Sequence, residues 1–507
     1  MTPIVLSARA AGVLLAHWRD GAGGTAYDAL ADALRMLVID GRVTIGARLP
    51  AERRLAETLG ISRTTVATAY ATLRDDGFIE SMRGSGSVVR LPRGLDGRPD
   101  PERLAAVDPI GRHDPSGGVH GPDDARAGTR PRAAAAPAPL LDLRKAVVHA
   151  APGIAEATER AMRHLPAALA EVGYDTVGDP GLRAAIADRY AERGLPTRPE
   201  QILVTLGAQH AIALLARVLV GRGDTVLVEA PTYPHAHEAF RAAGGRLVPV
   251  PVDAREGWDV TAMTTAIRRT APAVAYVMPD LHNPTGATMS GPARDALLTA
   301  ARDAGTVVVA DETMGELRID GPTIPPLGTR GPVVHIGSAG KVFWGALRIG
   351  WIRADADLLQ RLVLARPTGD LGTPVIEQMV VRELVPHTAS VLEERRRHLR
   401  EGRDHVVAAL RTRIPEWDVP SPDGGLTTWI GLGRPVSSAL VLAARSEGVA
   451  LASGGVFGPD GGFERFLRVP FSGAAADRTR MIDVLASAWR RVGGVEAGTV
   501  RSMAAVV

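Results

Sequence analysis

The chain contains no cysteine, which excludes disulfides, thiolate metal sites and cysteine nucleophiles and suits a cytoplasmic protein. Lysine is nearly missing too: of 59 lysines and arginines, only Lys145 and Lys341 are lysine. There is no strong excess of either charge, since the formal net charge is +3, so charge alone says little about partners. Long apolar runs are also lacking. Residues 10–16 are apolar but short and end at His17, Trp18, Arg19 and Asp20, so neither a membrane span nor a signal peptide is expected. What remains, 507 residues that are 45% hydrophobic, is enough for more than one domain with a real core.

The lysine shortage carries information because arginine cannot replace a lysine amine in chemistry. A guanidinium stays protonated, whereas an amine can lose its proton and attack a carbonyl. Lys341 stands in Ser338-Ala-Gly-Lys341-Val-Phe-Trp-Gly-Ala-Leu-Arg348. A lysine kept in so arginine-rich a chain points to amine chemistry, or to chance retention on a solvated face, the reading that suits Lys145.

The N-terminal hundred residues read as small and mostly helical. Leu30, Leu34, Leu37 and Val38 fall at helical spacing within residues 25–40. A second helix runs over residues 50–59, with Pro50 near its start and Gly60 as its stop, and Ser62 can cap a third from Arg63 towards Asp76. Residues 78–90 read as two short strands around a glycine-rich turn. Helix, turn, helix and hairpin make a winged helix-turn-helix, whose third helix enters the major groove of double-stranded DNA. Between residues 42 and 90, eight arginines face five acids, an excess of the right sign. A small helical domain for protein contacts is the other reading.

Here the sequence closely resembles the GntR family of bacterial regulators. The resemblance rests on Gly46-Ala-Arg-Leu-Pro-Ala-Glu-Arg53, Leu59-Gly-Ile-Ser-Arg-Thr-Thr-Val66, Asp76-Gly-Phe-Ile-Glu80 and Arg83-Gly-Ser-Gly86. It implies that Arg53, Arg63, Thr64, Thr65 and the wing Gly84 contact DNA.

Residues 1–24 are expected to be an extension, 25–92 the winged helix, and 93–139, dominated by Pro, Gly, Asp, Arg and Ala, a flexible linker. From Leu140 short apolar runs alternate with helical stretches: 202–205, 225–228, 273–278, 306–310 and 333–336. That alternation predicts a mostly parallel α/β sheet covered on both faces, with ligands at the carboxyl ends of its strands. A larger domain over 140–390, a smaller α+β one over 391–495 and a tail over 496–507 complete the expected layout.

Chemically useful groups follow those runs. Gly207-Ala-Gln209 opens a helix and can offer free N–H groups to a phosphate. Asp311 ends an apolar run and needs a partner, which a protonated pyridine nitrogen, a helix cap or a salt bridge would supply. Asn283 lies in a His-Asn-Pro-Thr-Gly turn, and Tyr233 can stack on a flat ring or merely pack. Together with Lys341, Ser338 and Arg348 they supply what pyridoxal 5'-phosphate requires.

Their order resembles fold-type I aminotransferases and, with the DNA-binding domain ahead, the MocR/GabR family of regulators. Further landmarks are Gly173-Tyr-Asp-Thr-Val-Gly178, Asn283-Pro-Thr-Gly286, Asp311-Glu312, Gly424-Gly-Leu426 and Phe466-Leu-Arg-Val-Pro-Phe471. The resemblance implies that Lys341 forms the Schiff base, Asp311 meets the pyridine nitrogen, Asn283 faces the ring oxygen and Tyr233 stacks on the ring. Gly207, Ala208, Gln209, Ser338 and Arg348 then hold the phosphate, and Tyr174 reaches the phosphate of a second subunit in a homodimer. Arg468 binds the carboxylate of an amino-acid-like effector, or stands as a surface arginine on an edge strand. No metal site is expected.

One departure is informative. The family usually places a tyrosine two or three residues after the ring aspartate, and here those positions are Thr313 and Met314. The expected function is a pyridoxal-phosphate-dependent transcriptional regulator that senses an amino compound or a vitamer. The alternatives are a working aminotransferase with an appended DNA-binding domain, and a regulator that keeps only the fold.

Overall fold

The computed structural model describes residues 6–16, 18–19, 25–39, 43, 46–82, 86–90, 140–328, 331–459 and 462–502. Gly84 and the whole 93–139 segment lie outside them. The chain divides into two compact units, Met1–Leu140 and Leu141–Val507, each described by itself.

In the first unit, helices α1 (Ala8–Leu14), α2 (Ala26–Ile39), α3 (Glu52–Leu59) and α4 (Arg63–Asp75) precede a hairpin of β1 (Ile79–Met82) and β2 (Gly86–Val89). Leu30, Leu34, Leu37 and Val38 are buried, as their spacing requires, against Leu55, Val66, Tyr70 and Leu73. Gly60 adopts φ +65° at the end of α3, which reverses the chain in two residues before Ser62 caps α4 through its hydroxyl. The hairpin is antiparallel, pairing Ile79 with Val89. The folded unit begins ahead of the boundary expected at residue 25: α1 lies in the supposed extension, yet Ala11 and Leu15 are buried in the same core. That helix has only seven residues, less than two full turns, too short for its periodicity to show.

The second unit is organised by an eight-stranded sheet. Its strands are β4 (Ile202–Thr205), β5 (Thr225–Ala230), β6 (Arg246–Asp253), β7 (Gly257–Trp258), β8 (Val274–Val277), β9 (Val307–Asp311), β10 (Val333–Ser338) and β11 (Gly350–Arg353). The order is β4-β11-β10-β9-β8-β5-β6-β7. β10, β9, β8, β5 and β6 run parallel, β11 is antiparallel to both its neighbours, and β7 is antiparallel to β6. Both faces are covered, which is why these strands read as continuous β-branched runs. Val226, Val228, Tyr276 and Val309 face one apolar cluster, while Leu227, Ala275, Val277 and Val308 face the other.

The strands missed in sequence are the irregular ones. β6 carries Pro249 and Pro251, which cannot donate to a ladder, and β7 pairs only with Val252 and Asp253. β11, Gly350–Arg353, starts on a glycine and ends on an arginine, so no apolar run marks it.

A smaller layer follows the long helix Thr388–Arg413: β12 (Thr427–Gly431) pairs antiparallel with β14 (Phe466–Pro470), with helices Ser437–Ser446 and Ala475–Ser502 beside them. The last helix extends to Ser502, into the expected tail. The layer also takes residues assigned above to the large domain. β3 (Leu141–Asp142) pairs parallel with β13 (Val449–Ala450), so the first residues of the unit belong to its C-terminal part.

Arg366 is fully buried and holds one end of the sheet to the loops around it. Its guanidinium donates to the carbonyls of Thr176 (2.7 Å) and Val204 (2.8 Å), to the Thr373 hydroxyl (2.7 Å) and to Asp370 (2.6 Å). Arg366→Ala takes the guanidinium from Asp370 and from the Thr176 and Val204 carbonyls, although Gly372 and His210 still reach Asp370 and the Thr373 hydroxyl still reaches Val204. It is expected to cost about 2–3 kcal/mol, to be read in denaturant unfolding of the full chain.

Candidate functional site

The carboxyl ends of β4, β5, β8, β9 and β10 lie on one edge of the sheet, and Gly207, Tyr233, Asn283, Asp311 and Ser338 close or follow those strands. Ser338 ends β10 and caps the short helix Ala339–Val342, accepting from the Gly340 amide at 3.0 Å, so Lys341 follows the strand within three residues. Burial pushes the Lys341 amine down to about 8, with Arg468 adding to the effect and Asp311 opposing it. The amine donates to the Ala146 carbonyl at 2.7 Å.

Asp311 is the last residue of β9 and is buried. It accepts from the Tyr276 hydroxyl at 2.7 Å and the Thr313 amide at 3.0 Å. Burial raises its carboxyl nonetheless, and among the described residues no cationic side chain is ion-paired with it. Tyr233, just ahead of the helix Pro234–Ala242, is pushed up to about 12 by burial and by the nearby Asp311 charge. Asn283 lies past β8, and Arg468 of β14 donates to its side-chain oxygen at 3.3 Å. Arg468 is buried, which lowers its guanidinium to about 10; it lies 4.8 Å over the Phe457 ring, donates to the Arg144 carbonyl, and its Nε has no partner. It is therefore an interior arginine, unlike one on a solvated edge.

The helix Ala208–Leu219 starts at Gly207, whose φ of +84° suits glycine. A Cβ there would meet Arg348 Nη2 at 3.0 Å, so the arginine stands directly over the helix start. Arg348 also donates to the Leu206 carbonyl at 3.1 Å. Ala208 and Gln209 form the first turn, with the Gln209 amide donating to the His235 carbonyl and its buried Oε1 unpartnered. Tyr174 is 76% exposed. Met314 is buried where the family tyrosine usually stands, so no phenol enters the site from there.

Three residues that shape the site were not identified as doing so in sequence. Tyr276 lies mid-strand and was indistinguishable from core. Glu229 is the next-to-last residue of β5 and is buried: it accepts from Trp258 Nε1 (2.7 Å), from the Met278 amide (3.1 and 3.0 Å at its two oxygens) and from the Thr232 hydroxyl (3.3 Å), with His282 Nε2 3.1 Å away. Its only signal was a charge closing an apolar run. Gly350 starts β11, where a Cβ would come within 2.5 Å of the Gly207 carbonyl carbon and 2.7 Å of the Ala208 amide nitrogen.

On the first unit, Arg53, Arg63 and Thr64 are exposed. The Arg53 guanidinium pairs with Glu57 at 3.1 Å and that of Arg63 with Glu52 at 3.4 Å. Thr65 is half-buried, its hydroxyl 2.8 Å from that of Ser62.

The sheet carries these groups at the carboxyl ends of its strands, in a chain whose first unit is a helix-turn-helix with a hairpin. Comparison with known proteins agrees. Residues 150–485 match the family of aminotransferases class I and II, and residues 26–89 match the gntR family of bacterial regulatory proteins. A probable rhizopine catabolism regulatory protein, MocR, of Rhizobium meliloti is 31% identical over 441 residues, covering 83% of this chain and 84% of that protein. A 2-aminoadipate transaminase of Thermus thermophilus is 36% identical over 328 residues, covering 63% of this chain and 79% of the enzyme. The crystal structure of LysN, an alpha-aminoadipate aminotransferase from Thermus thermophilus complexed with N-(5'-phosphopyridoxyl)-L-leucine, superposes with a TM-score of 0.64 at 32% identity, over 71% of this chain and 93% of that one.

The chain belongs to the aminotransferase class I and II family and, with its gntR-type domain in front, is a regulator of the MocR type. Its cofactor is pyridoxal phosphate. The residues suit that group: a buried carboxylate without an ion-paired cation among the described residues, and a glycine helix start under an arginine. Among the described residues, no helix is long and apolar enough to cross a membrane.

Gly350→Ala drives a methyl into the backbone of residues 207–208. It is expected to weaken pyridoxal phosphate binding at least about tenfold while the protein still folds, measured by titrating the cofactor's absorbance and by thermal melting.

Proposed function

We propose that the protein is a transcriptional regulator that reads an amino compound, or a vitamer of its own cofactor, through Lys341. The observation that carries this reading is the half-buried Lys341, whose amine is lowered to about 8 by desolvation and by Arg468 against the opposing charge of Asp311, in a chain with a DNA-binding domain. Pyridoxal phosphate supplies an aldehyde for that amine and an electron-accepting ring. Lys341 anchors the cofactor covalently, Asp311 holds a proton on the pyridine nitrogen, Asn283 donates to the ring oxygen, and Tyr233 packs on the ring. The Gly207, Ala208 and Gln209 amides, the Ser338 hydroxyl and Arg348 hold the phosphate. Arg468 takes the carboxylate of the effector.

Tyr174 completes the phosphate site of a second copy in a homodimer, which its exposure here permits. Arg53, Arg63, Thr64 and Thr65 read and grip the operator, with the wing around Gly84 on its backbone. Ligand occupancy shifts the placement of the two units, and by linkage DNA alters ligand affinity by the same factor. The protein works where its DNA lies, in the cytoplasm. Turnover as an aminotransferase is disfavoured by Met314, which removes the phenol that usually tunes the lysine bond.

The reading is tested on the purified full chain. The wild type is expected to develop a visible absorption band with pyridoxal phosphate, and Lys341→Ala is not. Because only the neutral amine attacks, the band should form faster as pH rises, with a midpoint near 8 rather than at the ordinary lysine value of 10.5. Arg468→Met takes away a positive neighbour and should move that midpoint upward. No band in the wild type sinks the proposal. A band that is accompanied by sustained keto-acid production, with DNA binding indifferent to the cofactor, favours the enzyme.

For the DNA arm, Arg63→Ala is expected to weaken binding to the promoter beside its own gene by about 1–3 kcal/mol, read by fluorescence anisotropy at fixed salt.

A further inference from the structure

Leu206 stands in the turn between β4 and the helix Ala208–Leu219, directly ahead of the residues that the reading above gives to the phosphate. Side chains hold its backbone on both sides. Its carbonyl accepts from Arg348 at 3.1 Å. Its amide donates to Nδ1 of His210 at 3.1 Å, and among the described residues that amide has no other acceptor. The Thr205 hydroxyl holds the next carbonyl, that of Gly207, at 3.1 Å. An accepting Nδ1 places the imidazole proton on Nε2, which lies 2.9 Å from Asp370 Oδ2. Asp370 is held in turn, accepting at its other oxygen from Arg366 Nε at 2.6 Å and from the Gly372 amide at 3.0 Å. His210 thus ties the turn ahead of the phosphate residues to the buried arginine at this end of the sheet. The charged groups that face it are Asp370 and Arg366 from the segment after the helix Ala356–Ala365 and Arg217 from its own helix. Burial pulls its pKa below the ordinary 6.5, Asp370 opposes, and the two arginines add to the fall.

We propose that His210 is a positioning residue for the cofactor phosphate, a neutral acceptor that sets the Leu206 turn, and that its protonation releases the turn and loosens the chain's hold on the cofactor. This rests on the reading of Ala208, Gln209 and Arg348 as phosphate ligands. A protonated imidazole carries N–H on both nitrogens, so one proton turns the acceptor for Leu206 into a donor facing a donor. The positive charge gained falls beside Asp370, which offsets it, so it adds little attraction for a phosphate. The amide given up lies between buried Thr205 and Gly207, where an unmet donor costs more than the bond contributed. Because the ring takes its proton only below 6.5, the hold is complete at neutral pH and is lost as pH falls. Acid would thereby empty the site from which the regulator reads its ligand.

The pair His210→Asn and His210→Leu tests the role, since the two new side chains have nearly the same shape and neither reaches Asp370. The Asn oxygen stands where Nδ1 stood and accepts from Leu206; Leu cannot. The probe is pyridoxamine 5'-phosphate, titrated calorimetrically into the full chain, because it carries the phosphate and needs no bond to Lys341. At about pH 8 the Asn variant is expected to bind within about twofold of the wild type and the Leu variant about tenfold more weakly. Equal affinities of the two variants overturn the positioning role. Between about pH 8 and pH 5.5 the wild type should lose at least about threefold more affinity than the Asn variant; proton uptake by the phosphate itself is common to both and cancels. Parallel pH profiles overturn the acid release. As a second variant, Asp370→Asn leaves His210 in place and removes the charge that favours its proton, so the acid loss should move to lower pH. No shift, or a shift upward, counts against the proposal. If the wild type binds the probe and the Leu variant binds it equally well, the role of His210 fails and the phosphate reading stands. If the wild type binds none, both fall together.

Discussion

A carboxylate taken out of water must be met by donors, and Glu229 shows how much structure that requirement can organise. Four different elements send groups to it: Trp258 from β7, the Met278 backbone at the end of β8, Thr232 in the turn after β5, and His282 ahead of Asn283. The turns that carry Tyr233 and Asn283 are thereby tied to one point. Glu229 touches no site group itself in this arrangement, but it fixes the two loops that present them. Removing it would leave an indole, an amide and an imidazole facing an apolar interior. Asp311 is the complementary case, a buried carboxylate whose donors, Tyr276 and the Thr313 amide, leave it raised and short of a cation. One acid is saturated by the protein and supports the fold; the other is left incomplete, and that incompleteness suits the ring nitrogen of a cofactor.

Much of this was legible in the sequence, for reasons that differ from residue to residue. Buried parallel strands must be apolar throughout, so β4, β5, β8, β9 and β10 announce themselves as β-branched runs. Lys341 stood out because arginine had replaced lysine nearly everywhere else. Asn283 carried a similar signal that went unused, since it is the only asparagine in the chain. Tyr276 and Glu229 could not be assigned, because a polar group inside a strand reveals its partner only when the neighbouring strands are placed in register. Gly350 acts through the approach of β11 to the turn at Gly207, a contact between residues 143 positions apart that no local pattern encodes.

The boundary between large and small layers was misplaced by the same blindness to distance. A two-residue strand such as β3 has no periodicity to read, yet its pairing with β13 decides which layer the start of the unit follows. In the first unit, α1 was taken for an extension because a seven-residue helix shows less than two full turns of pattern. Burial of Ala11 and Leu15 in the common core is what makes it part of the domain.

Two exposed arginines of the first unit hold carboxylates of their own chain, Arg53 with Glu57 and Arg63 with Glu52. On the proposed reading DNA would exchange these pairs, so the gain from a bare phosphate would be small, whereas a base edge that engages a guanidinium in two bonds would still repay the exchange. Acids placed beside such arginines would then act as a discount on indiscriminate binding. A regulator that must find one site among an excess of others spends less of its time held on the wrong DNA.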